Sequence, residues 1–295
     1  MKIDQILSQP ALALTQEQRE FYFENGYLLL EEFVAESWLK RLRETTQQVV
    51  EQSRQIEFSD TIWDIEANHT REEPRLRRLT SPNDHDSNYW EFASQSSVVD
   101  VVQDLVGPDV KFHHSKLNFK WQRGGEEVKW HQDIQFWPHT NYSPLTVGLY
   151  LYDCDSSQGP LLVIPKSHKL ELFNLYNEKD EWVGHIDSSE QHRFDESGAV
   201  ELAGKAGSIT IHNSRLLHAS KRNDSEEGRP LLLNAYSSAD AMPYTPVPTP
   251  SKYYQSIIRG KAARWAQHDP QPCQIPPDWS AGYSSIFSLQ QNERG

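Results

Sequence analysis

Cysteine is scarce in this chain of 295 residues: there are two, Cys154 and Cys273, far apart in sequence. That excludes a disulfide-stapled scaffold and favours a reduced, cytoplasmic setting. Long hydrophobic runs are also missing. Leu28-Leu29-Leu30 and Leu231-Leu232-Leu233 are among the longest, far short of the ~20 residues that cross a bilayer, so no membrane partner is expected. Positive charge is in deficit, with 29 Lys and Arg against 42 Asp and Glu and a net charge of -13. That balance argues against nucleic-acid binding. No signal peptide is evident in Met1-Lys2-Ile3-Asp4-Gln5, and Asn292-Glu293-Arg294-Gly295 is no peroxisomal address. What is present is ordinary for an enzyme: 37% hydrophobic residues, 14 Gly, 17 Pro and a rich aromatic stock of nine Trp, twelve Tyr and eleven Phe. The length suits one large domain with an extension, as a monomer or homodimer.

Along the chain, Thr15-Gln16-Glu17-Gln18 reads as a capping box opening a short helix that Gly26 closes. Tyr27 to Leu30 follow as a strand. From Ala35 to about Gln55 the spacing of Leu39, Leu42, Val49 and Val50 predicts a helix with that stripe buried. Segment 53–87 is polar with little strand signal and reads as a long, partly mobile loop, its Arg71, Arg75, Arg77 and Arg78 on a solvated face. Ser97 to Val106 is a second helix, stopped by Gly107-Pro108. Short strand-like segments then follow at 109–121, 128–135, 145–152, 160–164, 199–202, 207–212, 216–221 and 230–238. Turn residues between them predict a mainly β protein with flanking helices, its core a double-stranded β-helix, or jelly roll. One domain is expected to hold an N-terminal helical layer with a lid-like loop at 1–108 and the jelly-roll core at 109–240. An irregular extension at 241–295 begins with the Pro- and Thr-rich Met242 to Pro250. Segments 53–87 and 177–196 are candidate lids.

The chemistry concentrates in His131-Gln132-Asp133 and in His218 with Arg229 beyond it. Alternate residues of a strand share a face, so His131 and Asp133 converge while Gln132 points out. A second histidine from another strand completes a two-His, one-carboxylate set for Fe(II), with open positions for a co-substrate and O2. Arg229 is placed to grip a carboxylate in a bidentate fork, which suggests 2-oxoglutarate. Alternatives stand beside each reading. His212 competes with His218 as third ligand, although the spacing to Arg229 suits His218. Arg229 has a surface alternative, an ion pair with Glu226 or Glu227, against which stands the apolar run from Pro230 to Ala235. His113, His114, His139, His168, His185 and His192 read mostly as structural or surface residues. A non-catalytic metal-binding barrel is the reading from a different class.

These residues resemble the phytanoyl-CoA dioxygenase superfamily over most of the chain. The opening Thr15 to Tyr27 segment, Gly159-Pro160-Leu161-Leu162-Val163-Ile164-Pro165-Lys166-Ser167-His168, and His218-Ala219-Ser220 through Arg229 carry the likeness. Within it, His114-Ser115-Lys116-Leu117-Asn118-Phe119-Lys120, Trp130-His131-Gln132-Asp133 and Trp137 are similar to the ectoine hydroxylases. The resemblance implies an Fe(II)- and 2-oxoglutarate-dependent dioxygenase that hydroxylates a small polar or zwitterionic metabolite. It implies Asn118, Lys120 and Ser220 beside Arg229 at the co-substrate, and His114 and Trp137 at the substrate. A simpler reading of Lys120 is an exposed barrel-edge lysine. The carboxylate of Asp133 fills the position that related halogenases leave to chloride, which favours hydroxylation. The chain departs from the pattern where His114 replaces a glutamine and where Pro138 to Pro144 replaces an Asp-Gly-Met-Pro turn. A larger acyl thioester or natural-product substrate therefore stays open, as does desaturation or cyclisation.

Overall fold

The computed structural model describes residues 1–122, 125–271, 273–279 and 285–291. Its helices are α1 (Ile3–Leu7), α2 (Gln16–Asn25), α3 (Glu36–Ser53), α4 (Pro82–His85), α5 (Ser87–Gln95), α6 (Val98–Val106) and α7 (Ile286–Gln291). The strands are β1 (Tyr27–Leu30), β2 (Trp63–Ile65), β3 (Leu76–Thr80), β4 (Val110–Lys120), β5 (Val128–His131) and β6 (Leu145–Tyr150). They continue with β7 (Leu161–Val163), β8 (Val200–Leu202), β9 (Ile209–Asn213), β10 (His218–Ser220), β11 (Arg229–Ser238) and β12 (Ile257–Arg259). A major sheet runs β1-β9-β6-β11-β4-β3-β2, with β12 also paired to β4, and a minor sheet runs β5-β10-β7-β8. All of these pairs are antiparallel, which is the jelly-roll arrangement expected.

Local chemistry explains the boundaries. Thr15 Oγ1 accepts from the Gln18 backbone N–H, and Gln18 Oε1 accepts from that of Thr15. Gly26 ends α2 in the left-handed region at φ 86°. A Cβ there would come within 2.5 Å of His168 Nδ1, so the position needs glycine on two counts. Leu39, Leu42 and Val49 of α3 are buried as predicted, with Val50 packed at the margin.

The long strands β4 and β11 form the spine, in register from Arg229 opposite Lys120 to Ser238 opposite Val110. The ladder shifts between Ala235 and Tyr236, which face His114 and Phe112, so His113 is the extra residue of a bulge. The bulge changes the parity of β4. Phe112 before it and Leu117 and Phe119 after it all join the core cluster shared with Leu42, Val101 and Leu105 of the helices. The other face of the same stretch carries Lys116, Asn118 and Lys120.

Two expectations change. Segment 53–87 is not loop throughout: between stretches without regular structure, β2 and β3 extend the major sheet, α4 follows, and every residue of β3 is buried. Arg75 and Arg77 are not solvated. Arg75 Nε donates to Glu66 Oε2 at 2.6 Å, and Arg77 donates to both oxygens of Asp64 at 3.0 and 2.6 Å. Arg78 is only 1% exposed. Charges neutralised in buried pairs hide the strand, because only Leu76 and Leu79 show hydrophobicity. The extension at 241–295 is likewise not wholly irregular, since it supplies β12 and α7.

Candidate active site

His131 ends β5 and His218 begins β10, and the two are direct partners in the minor sheet. Asp133 lies just past β5, at the start of a short 3-10 turn spanning Asp133–Gln135. Gln132 between them stays extended at φ -127°, ψ 122°, so the alternating geometry survives although the strand has ended. Gln132 faces away from the site, but inward: its amide donates to Arg215 O at 2.6 Å and accepts from the Phe173 N–H at 3.0 Å. It anchors the turn from behind.

One ligand atom from each of His131, Asp133 and His218 lies within 4.8 Å of the other two, and all three residues are buried. The histidines are oriented for a metal. Nδ1 of His131 donates to Lys129 O at 2.8 Å, and Nδ1 of His218 donates to Leu216 O at 2.9 Å. Each bond fixes the tautomer whose Nε2 lone pair faces the centre. Nε2 of both rings sits 3.9 Å from Asp133 Oδ1, which marks that oxygen as the ligand. Oδ2 accepts a hydrogen bond from Thr146 Oγ1 at 3.0 Å, and His212 Nε2 lies 3.4 Å from it. His212 thus lies on the Oδ2 side of the carboxylate, and His218, not His212, joins His131 and Asp133 in the group that could hold a metal.

Protonation fits this role. Burial pushes His131 down to about 4 and His218 well below its ordinary value, so both imidazoles are neutral, the form a metal would require. Burial pulls Asp133 upward, but His212, His218 and Lys116 outweigh it and hold the carboxyl well below the usual range. Two imidazoles and one carboxylate on one face suit Fe(II).

A cavity of about 90 Å³ opens from this triad, between the two sheets. Arg229, Lys120 and Ser220 line the end away from the triad, with Asn118 beside them. Arg229 is 4% exposed and forms no ion pair among the described residues, which removes its surface alternative with Glu226 or Glu227. Its Nη2 donates to Gly159 O at 2.9 Å, while its buried Nε has no hydrogen-bond partner. Lys120, 2% exposed, is no edge lysine: it donates to Ser220 Oγ at 2.8 Å and to the Lys221 carbonyl. Burial and the neighbouring Arg229 pull its ammonium well below the ordinary lysine range. A buried guanidinium with an unsatisfied N–H, beside a second cation, is a seat for a carboxylate.

His114 and Trp137 are placed differently from expectation. Neither borders the cavity. The turn after Asp133 lays Trp137 over His114, edge to face at 5.5 Å, and both are buried. Beside them His113 and His139 complete a packed ring cluster, with Nδ1 of His113 and of His114 only 2.5 Å apart. Substrate contact from His114 or Trp137 therefore receives no support.

Other lining residues escaped sequence reasoning. Lys116 shares the β4 face of Asn118 and Lys120, a parity that the sequence does show. Arg78 was hidden in the misread segment, and Thr146 carries no sequence signal. Ile286 and Phe287 of α7 close the cavity. Gln290 of α7 anchors this roof, accepting from the Lys129 N–H at 2.8 Å and donating to Gly184 O at 3.0 Å. The roof is thus α7, while segment 53–87, expected as a lid, contributes β2 and β3 to the major sheet.

Comparison with known proteins agrees with this geometry. The phytanoyl-CoA dioxygenase family model matches residues 22–231. A probable alpha-ketoglutarate-dependent hypophosphite dioxygenase of Stutzerimonas stutzeri is 27% identical over 277 residues, covering 93% of this chain and 96% of that protein. An ectoine dioxygenase of Sphingopyxis alaskensis is 24% identical over 255 residues, covering 78% and 79%. In structure, the apo form of EctD from S. alaskensis superposes with a TM-score of 0.67 at 21% identity, over 89% of this chain and 90% of that one.

Proposed function

Because the chain belongs to the phytanoyl-CoA dioxygenase family, we propose that it is an Fe(II)- and 2-oxoglutarate-dependent dioxygenase that oxidises a small polar molecule. One observation carries this: the His131, Asp133 and His218 ligand set and the buried Arg229 line the same cavity. A bound Fe(II) would supply the redox chemistry, in which O2 converts 2-oxoglutarate to succinate and CO2 and delivers its second oxygen atom to the substrate.

The chain's own groups do the rest. His131, Asp133 and His218 hold the metal, and Lys129 O, Leu216 O and Thr146 orient them. Arg229, with Lys120 and Ser220, takes the far carboxylate of 2-oxoglutarate. Phe136, Leu231 and Phe287 make the remaining wall apolar, which excludes water and strengthens each charge contact inside. The relatives named for hypophosphite and for ectoine both act on small polar molecules, and this supports the same scale here. A non-catalytic barrel would leave Arg229 and Lys120 buried without purpose.

The test is an anaerobic titration of the Fe(II) protein with 2-oxoglutarate, followed by the weak visible charge-transfer band of the chelate. The band should appear, and a panel of small metabolites should then reveal one that accelerates succinate formation. No band at saturating co-substrate would overturn the assignment.

A further inference from the structure

Arg229 and Lys120 are register partners at one end of the β4–β11 ladder, and each reaches a backbone carbonyl of a different loop. Arg229 Nη2 donates to Gly159 O at 2.9 Å, the one hydrogen bond of this guanidinium among the described residues. Lys120 donates to the Lys221 carbonyl as well as to Ser220 Oγ. The two loops are pressed together at Gly159. Its backbone is left-handed at φ 64°, and a Cβ there would stand 2.2 Å from Lys221 O and 2.8 Å from Arg222 O. Only glycine permits that approach. Further bonds hold the turn. Asp155 Oδ1 accepts from the Ser157 N–H at 2.8 Å, and Gln158 Oε1 accepts from the Asp155 N–H at 2.9 Å. Across the gap, Ser157 O accepts from the Asp224 N–H at 2.9 Å.

Resting on the dioxygenase reading above, we propose that Gly159 is a positioning residue for the co-substrate: by letting its turn close on Lys221, it aims Arg229 and Lys120 at one carboxylate. Gly159 touches no ligand itself and acts through these two side chains. A forked guanidinium contact depends on the orientation of the guanidinium plane. Gly159 O fixes that orientation through Nη2, while the buried Nε keeps no partner and stays free for a carboxylate oxygen. The same close approach sets where the Lys221 carbonyl draws the Lys120 ammonium. The turn therefore fixes the span from the triad to the seat. That span decides how long a dicarboxylate can reach from a bound metal to Arg229. Positions of this kind are sensitive, because a misplacement of about 1 Å can cost on the order of 100-fold in rate. A glycine needed only for folding would affect stability and leave this selection unchanged.

The experiment is anaerobic titration of the Fe(II) protein with 2-oxoglutarate and with 2-oxoadipate, one methylene longer, followed by the charge-transfer band of the chelate. The wild type should prefer 2-oxoglutarate. Gly159→Ala should weaken 2-oxoglutarate binding about tenfold or more and narrow that preference at least about threefold. Its Fe(II) affinity should change by less than about threefold. Gly260→Ala is the control for backbone strain alone. Gly260 is left-handed at φ 67°, and its Cβ would stand 2.1 Å from Asp109 Oδ1, just before the end of β4 opposite Lys120. This variant should lose stability and keep both binding constants within about twofold. Where circular dichroism shows Gly159→Ala unfolded, Asp155 decides, because its side chain is exposed. Asp155→Ala removes an acceptor that holds the turn and should weaken 2-oxoglutarate about threefold or more, and Asp155→Asn, which keeps an acceptor, should restore it. A folded Gly159→Ala protein that binds both acids as the wild type does overturns the proposal. So does a Gly260→Ala protein that weakens 2-oxoglutarate equally, or, with Gly159→Ala unfolded, an Asp155→Ala protein of wild-type affinity. The wild-type band separates the two levels: present with unaffected variants, only this proposal falls; absent, the dioxygenase reading falls with it.

Discussion

Asp133 works through two oxygens with different tasks. Oδ1 faces the two imidazoles at 3.9 Å, and Oδ2 is fixed by Thr146, with His212 Nε2 3.4 Å away. Asp133→Ala or His131→Ala should therefore abolish iron-dependent turnover, and metal analysis should find substoichiometric iron. Full activity in either variant would remove the triad assignment. Arg229 presents a different case, because its guanidinium is already buried and only partly satisfied. A hydrogen bond to a charged group contributes about 1.5–3 kcal/mol, so Arg229→Ala should raise the 2-oxoglutarate requirement roughly tenfold to a hundredfold. Kinetics at varied co-substrate would read this as a change in KM, and an unchanged KM would mean that another group holds the carboxylate. The clustering of His131, Asp133 and His218 and the burial of Arg229 were legible in sequence because strand alternation and one apolar run expose them. Lys116 obeys the same alternation but carries no motif of its own. Thr146 and His212 act on Asp133 from separate strands, β6 and β9, and only the folded sheet brings them there.

At the scale of elements, β3 shows how charge conceals a strand. Its flanking ion pairs are buried, with Arg77 and Asp64 side chains 9% and 2% exposed. Removing one partner of such a pair leaves the other uncompensated, at a cost of about 3–5 kcal/mol. Glu126 also pairs with Arg77, at 3.0 Å, so Asp64→Asn should fall near the lower end, about 3 kcal/mol, in urea denaturation. A loss under about 0.5 kcal/mol would show that the pair does not hold β2 on β3. The helices were legible where apolar spacing and caps agree, as in α2 and α3. The short α4 and α5 lack that spacing over enough turns, and α7 is identified as a roof only by its place over the cavity. Phe287 of α7 is 2% exposed and closes the site against water. Phe287→Ala should increase succinate formed without substrate several-fold, with 2-oxoglutarate affinity little changed. Unaltered coupling between succinate and product would deny the roof that function.

For the whole molecule, the telling quantity is how many histidines are stored neutral inside it. His139 and His168 lie outside the metal ligands, and burial pushes each down to about 4 from an ordinary value of 6.5. Well above pH 6.5 neither the folded nor the unfolded state protonates them, so their contribution to pH dependence fades there. Between 6.5 and 4 the unfolded chain binds protons that the folded chain refuses, and stability falls as pH falls through that window. Each such group can add a slope approaching about 1.4 kcal/mol per pH unit, with less from His168 because it is partly exposed. His139 is the cleaner probe. It is 3% exposed, and its Nδ1 donates to Trp137 O at 2.7 Å, a bond that a glutamine side chain can replace. Urea denaturation in the presence of a chelator, from pH 7.5 down to pH 5, separates this effect from metal release. The wild type should lose stability steadily below pH 6.5, and His139→Gln should lose it less steeply. Parallel curves for the two proteins would place the acid sensitivity elsewhere, in the triad of His131, Asp133 and His218 or in the paired carboxylates of Asp64 and Glu66.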